Sequence, residues 1–254
     1  MNLDFSVIQN QKNLLAFSAG VDSSALFFLL LEQNIPFDIA IVNYNLRVQS
    51  KDEVFYAKNL ASKYKKNIFL KETKIENISN FEKNARDIRY KFFDEIILEN
   101  SYENLITAHQ LNDKLEWFMM QLSKGAGLVE LIGFNEFEQK ENYKIYKPLL
   151  NITKKKLENY LKINNHKYFV DQSNFDEKYK RNYFRHTFSN KFLENFSSGV
   201  KKSFEYLQID LDSLNIQNVP IKKIKELEIF LNQNDDNLNI RTIDLSLKKR
   251  GFLL

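Results

Sequence analysis

The first 150 residues alternate short apolar runs with longer stretches of helical periodicity, and this restricts the fold more than any other property of the chain. NLLAF (13–17), DIAIVN (38–43), NIFLKE (67–72), NLITAH (104–109) and YKIYKPLL (143–150) read as strands. Helical patterns lie between them near 23–33, 51–65, 80–100 and 110–123. Strands joined by helical crossovers pair in parallel, so the pattern predicts an α/β, Rossmann-like parallel sheet with helices on both faces. Ligands of such sheets bind beyond the carboxyl ends of the strands. Three unusual polar clusters stand there: SAGVDSS after the first strand, NYNLR after the second, AHQLND after the fourth.

From about 152 onward the pattern is mainly helical, with helices expected at 153–163 and 181–196 and shorter ones at 220–232 and 241–249. The expected organisation is a first domain over 1–195, then a helical linker and a small or partial C-terminal domain over 196–254. Charge is unevenly placed along the chain, and it divides earlier than the expected domains do. Residues 1–150 carry 18 Lys and Arg against 20 Asp and Glu, and residues 151–254 carry 19 against 13. A basic second part suits a polyanionic partner, or simply a solvated basic surface.

Some chemistry is excluded. The chain has no cysteine, so disulfides, thiolate metal sites, iron–sulfur clusters and cysteine nucleophiles are absent. No run of about 18 uncharged apolar residues predicts a membrane span. The N-terminus lacks a basic region followed by an apolar core, so no secretory signal is expected. A cytoplasmic protein is expected, although the lack of cysteine also fits an oxidising compartment.

SAGVDSS sits where a strand turns sharply into a helix. The exposed N–H groups of a helix start and its dipole attract an anion. Small residues let a phosphate approach the backbone. Ser18, Ser23 and Ser24 offer hydroxyl donors, and Asp22 offers a ligand for a cation such as Mg²⁺. No Walker loop is present. The same residues also suit an ordinary strand–helix turn capped by Asp22 or Ser23.

On a helix over 109–122, Leu111, Leu115, Phe118, Met119 and Leu122 share one face, and His109, Asn112, Asp113 and Glu116 share the other. Carboxylates beside an imidazole at a strand-to-helix mouth suit general-base work or metal binding; a solvated polar face is the plain alternative. In the helix at 80–100, Ser79 and Glu82 make a capping box. There Arg89 lies inside the apolar stripe of Ala85, Ile88, Phe92, Phe93, Ile96 and Ile97, with Arg86 on its edge. An arginine on an apolar face needs a carboxylate or phosphate partner.

Ser18-Ala19-Gly20-Val21-Asp22-Ser23 resembles the S-G-G-x-D-S pyrophosphate loop of the N-type ATP pyrophosphatases, which split ATP between the α and β phosphates. Further motifs follow in order. VNYNLR (42–47) is similar to V-D-H-G-L-R, NARDIRY (84–90) to A-R-x-x-R-Y, and TAHQLNDKLE (107–116) to T-A-H-H-x-D-D-Q-x-E. SKGAGLVELIGF (123–134), KPLL (147–150) and DQSNFDEKYKRNYFR (171–185) complete the set. Together, across about residues 13–190, they resemble the tRNA(Ile)-lysidine synthetases.

That resemblance implies ATP, Mg²⁺, L-lysine and a tRNA(Ile) with a CAU anticodon. C2 of the wobble cytidine is adenylated, and the lysine ε-amine then displaces AMP to form lysidine, so that AUA is read as isoleucine. It implies an ATP site of Ser18, Ala19, Gly20, Val21, Asp22, Ser23, Asn43 and His109, with Asp22 on the metal. It assigns Asn112, Asp113, Glu116, Arg181 and Arg185 to catalysis, Asp113 and Glu116 being the candidates for the lysine ammonium and one of them for the base. Arg86 and Arg89 are implied in the same site, and the basic residues from Lys154 to Lys202 along the tRNA backbone.

The departures are Ala19, Asn43, Tyr44, Gln110, Asn112 and Lys114. If position 19 needs φ > 0, its Cβ costs about 1–2 kcal/mol. A negative φ is expected there, and a positive one would favour a non-catalytic tRNA-binding relative. A tRNA thiolase on the same fold is the other rival, disfavoured by the absence of cysteine. The region after about 205 is short for the family's larger C-terminal domains. The oligomeric state is left open, a homodimer being one option.

Overall fold

The structure is a computed structural model, and it describes residues 1, 3–45, 49–74, 81–170, 180–214, 216 and 219–252, with the side chains of residues 82 and 249 set aside. The capping-box serine Ser79, Arg47 and the segment 171–179 therefore lie outside the described residues. The chain forms two compact units, Met1–Ser198 and Gly199–Leu254.

The first unit is built on a six-stranded sheet. Its strands are β1 (Asn13–Ala16), β2 (Asp38–Asn43), β3 (Ile68–Glu72), β4 (Asn104–Ile106), β5 (Phe137–Gln139) and β6 (Lys144–Tyr146), in the order β3-β2-β1-β4-β6-β5. All pairs are parallel except β5 with β6. The short antiparallel edge strand β5 had no counterpart in the sequence reading, and YKIYKPLL is strand only over 144–146.

Helices α1 (Val21–Glu32), α2 (Gln49–Lys63), α3 (Phe81–Asn100), α4 (Leu111–Leu122), α5 (Leu128–Ile132) and α6 (Lys154–Ile163) cover the sheet. Alternation along β1 supplies two cores. Leu15 joins Phe27, Leu30, Val54, Leu60, Leu157 and Leu161 on one face. Leu14 joins Phe93, Ile96, Ile97, Leu105 and Ile145 on the other. Helix α1 is buried on nearly every side, which explains why its sequence has no polar stripe.

The order reverses between β1 and β4, the strands that lead into SAGVDSS and AHQLND. In an open parallel sheet that reversal leaves a crevice at the carboxyl ends of the two strands. The fold thus brings together two clusters that lie about 90 residues apart in sequence.

The expected helix at 181–196 is three segments: α7 (Lys180–Phe184), a π-helical stretch at Arg185–Ser189, and α8 (Asn190–Ser213), with non-helical backbone at Phe196. In the second unit, the helix expected at 220–232 is instead a hairpin of β7 (Lys222–Ile224) and β8 (Leu227–Ile229). Lys225 in its turn has φ 52°, and Leu227 and Ile229 keep a period of two, which a short segment does not distinguish from a helix by composition alone. Helix α9 (Asp236–Lys249) starts at the Asp235 cap, which accepts from the Leu238 N–H at 3.0 Å. No helix among the described residues is long and apolar enough to cross a membrane.

Candidate active site

The loop from β1 to α1 reverses the chain at Ala19, whose φ is +59° and whose side chain is fully buried. This corrects the expectation of a negative φ. The Ala19 carbonyl accepts from the Phe169 N–H at 2.9 Å, and Gly20 pairs with Phe169 as a parallel bridge. This pairing holds the turn in its left-handed conformation. Gly20 is extended, with φ −73° and ψ 173°, and a Cβ there would meet only Ser18 Oγ, at 3.4 Å. The position that needs backbone freedom is therefore 19, and its methyl group costs about 1–2 kcal/mol.

The loop is otherwise tightly cross-linked. Ser23 Oγ accepts from the Ser18 N–H at 3.2 Å and lies 3.1 Å from Ser18 Oγ. The first helical bond of α1 runs from the Ser24 N–H to the Gly20 carbonyl at 2.9 Å. No side chain caps this helix. The N–H groups of Val21, Asp22 and Ser23 thus precede the helical ladder, and the positive end of the helix dipole faces the crevice. Asp22 Oδ1 and Ser24 Oγ are buried without a hydrogen-bond partner. A withdrawn carboxylate oxygen at a helix start fits a divalent cation that completes its shell with water and phosphate oxygens.

Across the crevice, α4 opens on a reciprocal cap. The Asn112 N–H donates to Gln110 Oε1 at 2.6 Å, and the Gln110 N–H donates to Asp113 Oδ2 at 3.0 Å. Gln110, which replaces a family histidine, therefore starts the helix. The other Asp113 oxygen accepts from Arg181 Nη2 at 2.5 Å. Glu116, with no exposed surface, accepts from Arg181 Nε at 2.9 Å and from Arg185 Nε and Nη2 at 2.8 and 3.0 Å. Asn182 Oδ1 accepts from Arg185 Nη1 at 3.2 Å. The polar face of α4 is thus buried, as are Leu111 and Leu115 on its apolar face, and only the C-terminal half of the helix, with Leu122, has exposed residues. Two arginines from α7 and the π-helical stretch cover the carboxylates, which rules out a solvated face.

Asn112 is also buried. Its Nδ2 donates to Asn190 Oδ1 at 2.9 Å, and its Oδ1 accepts from the Lys154 N–H at 3.1 Å. Both halves of the amide thus tie neighbouring helix starts together.

Burial pushes the Asp22 carboxyl up to about 7; the Asp113 charge adds to this, while Lys154 and Arg185 oppose it. Burial also acts to raise Asp113, but Arg181, His109 and the Gln110 N–H outweigh it and hold Asp113 below the ordinary carboxylate range. His109 is pushed down to about 4 by burial, against the pull of Asp113. Its Nδ1 lies 3.0 Å from Thr107 Oγ1, and its ring centroid lies 5.3 Å from that of Phe134. The site thus holds one anion kept charged, one carboxyl poised near neutrality and one imidazole kept neutral.

The remaining predicted residues make contacts of their own. Asn43 closes an Asx turn with Asn45, its Oδ1 accepting from the Asn45 N–H at 2.9 Å. Arg86 and Arg89 are exposed on α3, so Arg89 does not lie in the buried stripe. Arg86 stacks on Tyr90 with its guanidinium 4.6 Å from the ring, and its charge reaches His109. Sequence reasoning missed Thr107, Lys154, Asn182 and Asn190 as supports of the site. Thr107 and Asn182 lie inside quoted motifs and could have been found there, whereas Lys154 and Asn190 carry no motif and owe their place to tertiary structure.

The model of the PP-loop domain family matches residues 3–192. The chain is similar to the tRNA(Ile)-lysidine synthase of Campylobacter jejuni strain RM1221, 46% identical over 251 residues that make up 98% of this chain and 75% of that protein. It is similar to that of Helicobacter hepaticus, 46% identical over 242 residues, 93% of this chain and 57% of that protein. Among solved structures it is similar to the U34-tRNA thiolase NcsA from Methanococcus maripaludis with its [4Fe-4S] cluster, with a TM-score of 0.63 at 19% identity, covering 81% and 74% of the two chains.

Proposed function

The chain belongs to the tRNA(Ile)-lysidine synthase family within the PP-loop domain proteins, and from that premise we propose how its residues serve the ligation of L-lysine to the wobble cytidine of a CAU-anticodon tRNA(Ile). The cytidine O2 attacks the α-phosphorus of ATP and pyrophosphate leaves. The lysine ε-amine then attacks C2, the C2–O2 bond breaks, and AMP departs with that oxygen. The observation that carries this reading is the pairing of an uncapped α1 start with the Asp113–Glu116–Arg181–Arg185 cluster across one crevice.

The N–H groups at the start of α1 and the Ser18 and Ser23 hydroxyls bind the departing pyrophosphate. Asp22 would hold Mg²⁺, which would screen the triphosphate charge. Arg181 and Arg185 stabilise phosphate charge or hold the RNA beside the target base. Asp113, kept ionised, suits the lysine ammonium. Removing that proton at pH 7 from an amine of pKa about 10.4 costs roughly 4–5 kcal/mol, so a positioned carboxylate matters. A protein that modifies tRNA in this way works in the cytoplasm.

The positive φ at Ala19 favours one rival, a non-catalytic tRNA-binding relative. The thiolase reading is opposed by the lack of any cysteine to hold a cluster. The test is mass spectrometry of nucleosides from tRNA treated with ATP, Mg²⁺, lysine and the protein. Lysidine is expected. Its absence, together with no tRNA-dependent AMP formation, would leave the binding reading in its place.

A further inference from the structure

An aromatic stripe runs along the outer side of the segment that carries the two site arginines. Tyr183, Phe188, Phe192 and Phe196 are 45%, 38%, 48% and 58% exposed. In an uninterrupted α-helix, residues 183 and 188 would point about 140° apart, since five residues at about 3.6 per turn overshoot one turn. Here the π-helical stretch Arg185–Ser189 takes up the extra residue. The Tyr183 and Phe188 rings consequently meet, with centroids 5.9 Å apart. From Phe188 the stripe continues at i, i+4, and the Phe192 and Phe196 rings lie 5.1 Å apart. Meanwhile Phe184, Ser189 and Leu193 are buried, and Arg185 turns inward to Glu116.

An exposed row of four aromatic side chains is costly in water and needs an occupant. The local charge indicates which. Arg181 and Arg185 are engaged inward with Asp113 and Glu116, so the cations this segment offers beside the rings are Lys180 and Lys191, and its single carboxylate, Glu194, pairs with Lys155. Aromatic faces interleaved with cations are the arrangement that binds single-stranded nucleic acid, because every base offers a π face and every linkage a phosphate. A second copy of the chain would bring the same cations against each other.

We propose that Tyr183, Phe188, Phe192 and Phe196 form a stacking platform for unpaired bases of the RNA loop whose target base enters the site. The π-helical stretch serves both ends of this arrangement: it aims Arg185 at the site and aligns the aromatic rings outside it. The proposal rests on the RNA-modifying function above and identifies the surface that receives that RNA.

The test is the affinity of a fluorescein-labelled anticodon stem-loop RNA with a CAU loop for the full chain and for Phe188→Leu, Phe192→Leu and Phe192→Ala. Leucine keeps the apolar bulk and removes the π face. Each substitution is expected to weaken binding about tenfold with an unchanged melting temperature, the side chains being exposed. The slope of affinity against salt is expected to stay the same in these variants and to fall by about 0.7 in Lys191→Ala. Unchanged affinity in the leucine variants overturns the platform, as does wild-type self-association that Phe192→Ala abolishes while RNA affinity holds. The two readings separate cleanly. Lysidine formation by the wild type with no loss of RNA affinity in the variants sinks the platform alone. Lost affinity without lysidine formation by the wild type sinks the proposed function and leaves the platform standing.

Discussion

Arg185 grips Glu116 with two hydrogen bonds, Nε to Oε1 at 2.8 Å and Nη2 to Oε2 at 3.0 Å, around a carboxylate that has no exposed surface. The planar fork matches the carboxylate in a way that a point charge does not. Arg185→Lys is expected to lower tRNA-dependent AMP formation at least about tenfold, the cost of one charge-assisted bond. Arg185→Ala, which leaves a buried charge short of a partner, is expected to cost about 3 kcal/mol in urea unfolding. Wild-type AMP formation in the lysine variant would show that the fork plays no part in the reaction.

Ala19 and Gly20 exchange the roles their identities suggest. Ala19 holds φ +59° and Gly20 is extended. Ala19→Gly is expected to change stability by no more than about 1 kcal/mol, since relief of the αL strain is offset by glycine's greater unfolded-state entropy. Ala19→Val is expected to destabilise by more than about 2 kcal/mol, because a β-branched residue in a buried αL position adds overpacking to strain. Gly20→Ala should melt like the wild type. Urea titration of the three variants checks the ranking, and a stable Ala19→Val protein would contradict the loop geometry.

Asp22 and His109 impose opposite pH dependences on stability. The Asp22 carboxyl, raised to about 7 by burial and by Asp113, binds a proton more tightly when folded. Its contribution is present below about pH 4 and is lost as pH rises through 7. His109, lowered to about 4 by burial, resists protonation when folded. Its contribution is present above about pH 6.5 and is lost as pH falls through 4. The two slopes oppose each other between about pH 4 and 6.5. In metal-free buffer, Asp22→Asn should therefore gain stability more steeply with rising pH over that window than the wild type does. His109→Gln should lose stability with rising pH up to about 7. Parallel profiles for all three proteins would remove both assignments.

Asn112 works through its two neighbours, the Lys154 N–H and Asn190. Asn112→Asp keeps the acceptor for Lys154, and a flip of the Asn190 amide restores the second bond, so folding should survive. Asn112→Leu removes both and should cost about 2 kcal/mol, the penalty for unsatisfied buried polar groups. If Asn112 only positions, the aspartate variant should keep lysine incorporation with a kcat near that of the wild type. A collapse of kcat at unchanged stability would place Asn112 among the reacting groups.

Much of this molecule is written in local pattern. The strand–helix alternation specified the parallel sheet, because a period of two or of 3.6 reports which faces are buried without knowledge of any partner. SAGVDSS, Asp113, Glu116, Arg181 and Arg185 were recognisable as residues because their chemistry is uncommon in that spacing. The limits are equally specific. The sign of φ at Ala19 depends on pairing with Phe169, 150 positions away. The burial of Glu116 depends on arginines more than 60 residues downstream. Arg89 proved exposed although its helical position lay in an apolar stripe, since a stripe shows what is apolar and not how far a neighbouring element covers it. The hairpin at 222–229 defeated a helical reading because eight residues satisfy both periods. Local pattern sets which element each segment prefers and which groups carry charge. Backbone strain, burial and the pairing of those charges are set by contacts distant in sequence, and only the folded chain brings them within reach.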